Sequence, residues 1–461
     1  MKRNIYSSID PLDHRYAFRE GMKELEQYLS EEAKIDYQLK VEIALARGLA
    51  ERGICDPSVP EEINSAAGEI GAEEVYREEE KTRHNIRALA NCLQRRISEE
   101  ARPFVHLTAT SSDIVDTANA LRIKEASREV VQPALEELLQ VLMDLSLEEK
   151  DTLQIGRTHG QHAVPITFGF ALAEYVSRIG GRLLAIKKAT GNLRGQLSGA
   201  VGAYNAMSLI IDDPLNFEKE VLEKLGLKPA SHSTQIIEPE FMLDFMHSII
   251  SCFGVLANLS DDMRHLQRTE IAEVGEYFAA DQVGSSTMPH KQNPISYENV
   301  KSMWKEFSAR MGARYQDQIS EHQRDLTNSA SARFQYDMLA GFHISTEKLT
   351  GVLKRFAIAD KKMEENFQLQ QEMIGAEPLY ILLASYGHPD AHEAVREMSL
   401  KARQEDRELS DLIRDDDELN EYWQQFTSRQ KQMVADPAHY RGKAAEKTEQ
   451  AVKHWRDRLN L

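Results

Sequence analysis

FGFALAEYVSRIGGRLLAI, residues 168–186, sets the fold class. Its large apolar residues Phe168, Leu172, Tyr175, Ile179, Leu183 and Ile186 step by four, three, four, four and three. With 3.6 residues per turn, that spacing puts them on one face of an α-helix. The pattern returns downstream in Phe245, Ile249, Phe253, Leu256, Leu259, Met263 and Leu266. Upstream it runs through Ala118, Leu121, Leu135, Leu138, Leu142 and Leu145, with a kink predicted at Pro133. Such lengths predict a bundle of long helices. Strand signals are nearly absent, with no sustained alternation, no Asn-Gly hairpin and no internal repeat. The fold reads as all-α.

Composition agrees. The 461 residues are 41% hydrophobic and 28% charged, which is globular, and only 7% are aromatic. Ala, Glu, Leu, Arg, Lys and Gln, all good helix formers, dominate. A chain this long usually forms more than one domain. Three helical parts are expected: an N-terminal domain over 1–110, a central long-helix bundle over 111–360 and a C-terminal domain over 361–461. The charged run Arg403–Glu421 reads as a solvated helical face. Broad apolar faces on long helices predict an oligomer.

The net charge of −18 argues against a nucleic-acid surface, which needs excess Lys and Arg. Cys55, Cys92 and Cys252 are unevenly spaced and lack a CxxC, so neither a disulfide framework nor a zinc cluster is indicated. No signal-peptide pattern follows Met1-Lys2-Arg3, and the apolar-leaning run from Ile249 to Leu259 is too short and polar to span a bilayer. A cytoplasmic location without membrane partners is expected. Neither GxGxxG nor GxxxxGK[ST] occurs, which excludes the common dinucleotide and phosphoryl-transfer loops.

Four polar blocks interrupt the helical pattern. Thr110-Ser111-Ser112-Asp113 reads first as a helix N-cap, and a helix start rich in hydroxyls also suits an anion. Gly156-Arg157-Thr158-His159-Gly160-Gln161-His162-Ala163-Val164-Pro165 reads as a polar inter-helix loop. Its two histidines lack the Cys or carboxylate that would complete a metal set, and suit proton transfer better. Gly284-Ser285-Ser286-Thr287-Met288-Pro289-His290-Lys291-Gln292-Asn293-Pro294 is a loop punctuated by Gly and Pro. Its hydroxyls, Lys and Asn are the groups needed to grip and deprotonate a carboxylate substrate. Arg324-Asp325-Leu326-Thr327-Asn328-Ser329, with Arg333, reads as helix-surface charge or as a phosphate site.

These blocks resemble the fumarase/aspartase superfamily, whose loop has the form GSSxMPxKxNP and matches residues 284–294 without departure. TSSD and GRTH precede it in the family order. Within the superfamily the chain resembles the adenylosuccinate lyase family. Arg15-Tyr16 is similar to a pair that contacts the nucleotide phosphate, Arg83-His84 to an Arg-His-Asp segment, and Ser233-Thr234-Gln235 to a segment whose Gln reaches the succinyl group. Arg324, Ser329 and Arg333 fit the phosphate-side block. Asn85 in place of Asp, His162 in place of Pro, and a missing Lys early in the helix after Gly169 are departures.

The resemblance implies elimination of fumarate from adenylosuccinate, giving AMP, and from the succinylated aminoimidazole carboxamide ribotide of purine biosynthesis. Ser285 is implied as the base and His159 as the acid, oriented by Glu298, with His84 and His106 as further histidines of the site. Thr158, Ser112 and Gln235 are implied to bind the succinyl carboxylates, and Thr110, Ser111, Arg83, Ser286 and Met288 to complete the binding set. Lys291 and Asn293 suit the doubly charged carboxylate that forms when a proton leaves the adjacent carbon. A homotetramer with active sites shared between subunits is implied, and no metal or organic cofactor is indicated. Argininosuccinate lyase is the nearest rival, but it needs no phosphate site, so Arg15, Tyr16, Ser329 and Arg333 weigh against it. A non-catalytic recruited relative is disfavoured because Ser285, His159, Lys291, Asn293 and Glu298 are all present.

Overall fold

The Phe168-to-Ile186 series falls in one helix, Phe168–Asn192, and none of its six large apolar residues is more than 3% exposed. Burying each contributes about 1.5–3 kcal/mol, so packing of this face, more than intrinsic propensity, holds the helix. The downstream series lies in Glu240–Leu266, where Phe245, Ile249, Phe253, Leu256 and Leu259 are fully buried. The computed structural model of the protein describes residues 9–16, 22–277, 287–288, 290–369, 374–405 and 407–461. Further long helices are Glu31–Glu51, Ser111–Ala126, Gln132–Glu148, Ile295–Ala309 and Ser329–Leu353. Among the described residues strands occur only as three two-stranded pairings, so the all-α expectation holds.

A kink is predicted at Pro133, and what precedes it is a change of helix type. A π-helical turn, Ser127–Val131, joins Ser111–Ala126 to Gln132–Glu148. The wide turn accommodates the missing proline N–H just after it. Its polar groups are satisfied internally: Ser127 Oγ lies 2.8 Å from Thr190 Oγ1, and Gln132 Nε2 donates to both.

The chain divides into two units. The first comprises Met1–Glu137, Gly181–Ala257 and Asn299–Lys348. In it, Glu31–Glu51 packs against Ser111–Ala126. The second comprises Leu138–Gly180, Asn258–Glu298 and Leu349–Leu461. Here Leu379, Leu383, Leu412, Ile413, Trp423 and Phe426 form a core of their own. The charged run after Arg403 thus has a buried side as well as a solvated one.

Glu240–Leu266 is long and apolar enough to cross a membrane by composition, and extends well beyond the Ile249-to-Leu259 run. Two thirds of its apolar window (67%) is buried inside the fold, as in a core helix of a globular protein.

Candidate active site

In the first unit the TSSD block is a helix start. Thr110 is the N-cap of Ser111–Ala126, and its N–H donates to Asp113 Oδ2 at 2.9 Å. Asp113 is fully buried and also accepts from the N–H groups of Ser198 (3.1 Å) and Gly199 (3.1 Å). Burial pushes its carboxyl up to about 6, against the ionised form that these backbone donors favour. Sequence reasoning placed Asp113 in a cap and missed this second role, which pins the 198–199 loop to the helix.

That loop supports the Gln235 segment. Ser198 Oγ lies 2.7 Å from Ser233 Oγ, and the buried Gln196 donates to the Gln235 carbonyl at 2.7 Å. Gly202 has φ +78°, and a Cβ there would sit 2.1 Å from the Ser233 carbonyl oxygen. Only glycine permits that approach.

Ser112, 4% exposed, accepts a 2.9 Å hydrogen bond from Arg324 Nη1. Two blocks far apart in sequence are therefore one feature. Ser329 and Arg333 follow on the first turns of Ser329–Leu353, both exposed, and Arg333 Nη1 donates to the Ser329 carbonyl at 2.7 Å. Tyr16 accepts from Asn299 Nδ2 at 3.5 Å, and Arg15 beside it is exposed. A cavity of about 750 Å³, lined by Arg314, Asp317, Asn328, Phe334 and Met338 among others, includes none of the expected binding residues.

Two histidines of this unit are held in opposite senses. Arg83 takes the left-handed conformation (φ +54°), ending Ala72–Thr82. His84 then caps Asn85–Gln94, its Nδ1 accepting from Arg87 N–H at 3.2 Å. Its ring proton therefore sits on Nε2. His106 instead meets the buried Glu42, with Nδ1 2.7 Å from Oε1 and its own N–H donating to Oε2 at 3.1 Å.

In the second unit the GRTH block is not the polar loop that the sequence suggests. Strands β1 (Leu153–Thr158) and β2 (Gln161–Thr167) form an antiparallel hairpin. His159 and Gly160 are its two turn residues, with φ +54° and +73°. Positive φ at both central positions belongs to the two-residue turns whose twist matches a hairpin. His159 is thus exposed at the tip. Arg157 faces the other way. It forms a two-point ion pair with Glu273, which is fully buried and also accepts from Gln154 (2.9 Å) and Asn366 (2.9 Å). Burial and the nearby Arg157 hold the His162 imidazole below its ordinary range, which disfavours it as a neutral-pH acid.

The GSSxMPxKxNP block ends at the helix Ile295–Ala309. Its start is capped from outside, since Glu276 Oε1 accepts from the N–H groups of Ser296 (2.9 Å) and Tyr297 (3.1 Å). Sequence reasoning missed Glu276. Met288, Lys291 and Glu298 are exposed and Asn293 is half-buried. Ser285 and Ser286 lie outside the described residues. Glu298 and His159, expected as a pair, do not hydrogen-bond to each other among the described residues of one chain.

Groups able to hold an anion (Ser112, Arg324, His106) lie in the first unit, and an exposed imidazole, ammonium and carboxylate lie in the second.

The Lyase family model matches residues 17–306, and the Adenylosuccinate lyase C-terminal model matches 320–436. A protein named adenylosuccinate lyase from Methanocaldococcus jannaschii is 35% identical over 454 residues, covering 97% of this chain and 96% of its own. One from Pyrococcus abyssi is 36% identical over 459 residues, covering 97% and 98%. Among solved structures, the 3-carboxy-cis,cis-muconate lactonizing enzyme of Pseudomonas putida shares the fold, with a TM-score of 0.82 at 23% identity over 95% of this chain and 97% of that one. A fumarate lyase from Mesorhizobium does so with a TM-score of 0.80 at 22% identity over 93% and 97%. The chain belongs to the adenylosuccinate lyase family of the fumarase/aspartase superfamily.

Proposed function

We propose that this chain cleaves adenylosuccinate to fumarate and AMP, and the succinylated aminoimidazole carboxamide ribotide in the same way, within purine biosynthesis. The observation that carries this reading is the Arg324–Ser112 hydrogen bond at the start of a helix, beside Ser329 and Arg333 in sequence. A helix N-terminus with arginines suits the several anionic groups of a succinylated nucleotide.

Ser285 takes a proton from the carbon beside one succinyl carboxylate. Lys291 and Asn293 stabilise the doubly charged carboxylate that results; losing one such preorganised donor costs about 10²–10³ in rate in other enzymes. The electron pair then forms the fumarate double bond as the C–N bond breaks. His159 delivers a proton to the departing nitrogen, oriented by Glu298, while Thr158 and Gln235 hold the carboxylates.

The active protein is proposed as a homotetramer whose sites draw residues from more than one copy. Exposure of His159, Lys291 and Glu298 in a single chain supports this. Mixing inactive His159→Gln and Lys291→Ala proteins should then restore fumarate release; no recovery would contradict sharing. The three cysteines are unpaired, which suits the proposed cytoplasmic location. The activity itself is tested by incubation with each purine substrate, with fumarate and the matching nucleotide as expected products. Absence of fumarate from both would overturn it.

A further inference from the structure

Glu42 sits in the middle of Glu31–Glu51, 2% exposed among buried Leu39, Leu45 and Leu49. A carboxylate in such surroundings is costly unless its oxygens are engaged. Both are, and both by one residue: Oε1 meets His106 Nδ1 at 2.7 Å and Oε2 accepts the His106 N–H at 3.1 Å. His106 has φ +62° and Thr108 φ +70°, left-handed values uncommon outside glycine. The two-point grip thus fixes a strained backbone and a ring orientation together. With Nδ1 committed to Glu42, the ring's remaining group is Nε2, and the side chain keeps 24% of its exposure.

We propose that Glu42 is a positioning residue for substrate binding, clamping His106 so that Nε2–H is a fixed donor to an anionic oxygen of the substrate. The inference rests on the activity proposed above. It separates His106 from His84, whose Nδ1 is spent on a helix cap and which has no carboxylate partner among the described residues.

The charged groups facing the His106 ring are Glu42, Asp113 from the Ser111–Ala126 helix and Arg87 from Asn85–Gln94. Burial is the largest influence and opposes the charged ring, and Arg87 opposes it too. Glu42, helped by Asp113, outweighs them and holds the imidazole above its ordinary range. His106 therefore meets an anion as a cationic donor near neutral pH, and such bonds are about twice as strong as neutral ones.

The test is Glu42→Gln, which keeps the shape and removes the charge. KM for adenylosuccinate should rise about tenfold near pH 8, with a much smaller change in kcat. Near pH 6 the defect should shrink in part, because burial and Arg87 hold the unpartnered ring low and it protonates there only partly. AMP and fumarate serve as separate inhibitors. Weakening confined to AMP assigns the anion to the phosphate, and weakening confined to fumarate assigns it to a carboxylate; both support the clamp. A KM defect equal at both pH values, or a loss confined to kcat, would overturn it. Should Glu42→Gln fail to fold, His106→Gln carries the test. Its KM for adenylosuccinate should be raised about tenfold at both pH 6 and pH 8, where the clamped wild-type ring keeps its charge, and an unchanged KM at either pH would overturn the clamp. Calorimetric binding of AMP and fumarate needs no turnover, so failure of the clamp is distinguishable from failure of the proposed activity.

Discussion

Arg324 Nη1 donates a 2.9 Å hydrogen bond to Ser112 Oγ, joining residues 212 positions apart in the sequence. A guanidinium held this way keeps its other donors in a fixed plane for a ligand, which a lysine ammonium does not reproduce. Arg324→Lys should therefore lower kcat/KM for adenylosuccinate by about 10–100-fold, the range expected for a charged hydrogen bond of about 1.5–3 kcal/mol. Ser112→Ala, which removes this support and one neutral hydroxyl of the binding set, should cost less. Steady-state fumarate release measures both, and a larger loss in Ser112→Ala would contradict this order.

Asp113 gives a pH signature. Burial raises its folded-state value to about 6, above that of an exposed carboxyl, so the native chain holds this proton longer than the unfolded chain. The stability it contributes is full in acid, below the unfolded value, and is lost as pH rises through about 6. Asp113→Asn removes that titration. It also sets an amide N–H against backbone donors, lowering stability by about 1–3 kcal/mol. Between about pH 4 and pH 7.5, wild-type melting temperature should fall more steeply than that of the variant. Parallel slopes would count against the assignment.

Gly202 bears on substrate affinity through Gln235. A methyl group there meets the Ser233 carbonyl at 2.1 Å and must also adopt φ +78°. Gly202→Ala should displace the 233–235 segment, lowering stability by about 1–3 kcal/mol. KM for adenylosuccinate should rise with it. An unchanged KM in a destabilised protein would free Gln235 from any role in binding.

The two middle residues of GRTH should separate cleanly. Arg157→Ala leaves the fully buried Glu273 without its cation, a change that costs about 3–5 kcal/mol when one partner of a buried pair is removed. Thr158 is exposed, so Thr158→Ala should leave stability within about 0.5 kcal/mol and act on KM alone. Urea unfolding of both variants decides the matter. Equal destabilisation would place Thr158 in the fold and not at the substrate.

The helices were legible because burial imposes a period on them. Phe168 to Ile186 and Phe245 to Leu259 are buried as their spacing requires. The GRTH hairpin was not. Its turn is His159-Gly160, not the Asn-Gly that usually marks such turns, and its register is broken by a bulge between Ile155 and Arg157. Glu42, Glu273 and Glu276 were invisible for another reason. A glutamate on a charged helix or loop reads as solvated, and its partner, 64 residues away for Glu42 and His106, leaves no periodic trace. The blocks at 110–113, 324–333 and 284–294 stood out from their residue types alone. That Arg324 bonds Ser112 required the fold.

Release of fumarate from a succinylated purine nucleotide is tested most directly by a paired assay. Adenylosuccinate and argininosuccinate should be supplied in parallel, with fumarate followed in each and Ser285→Ala as the control. Fumarate is expected from adenylosuccinate alone, abolished by the substitution. Fumarate from argininosuccinate alone would contradict it, and would remove the nucleotide role given to Arg324, Ser329 and Arg333.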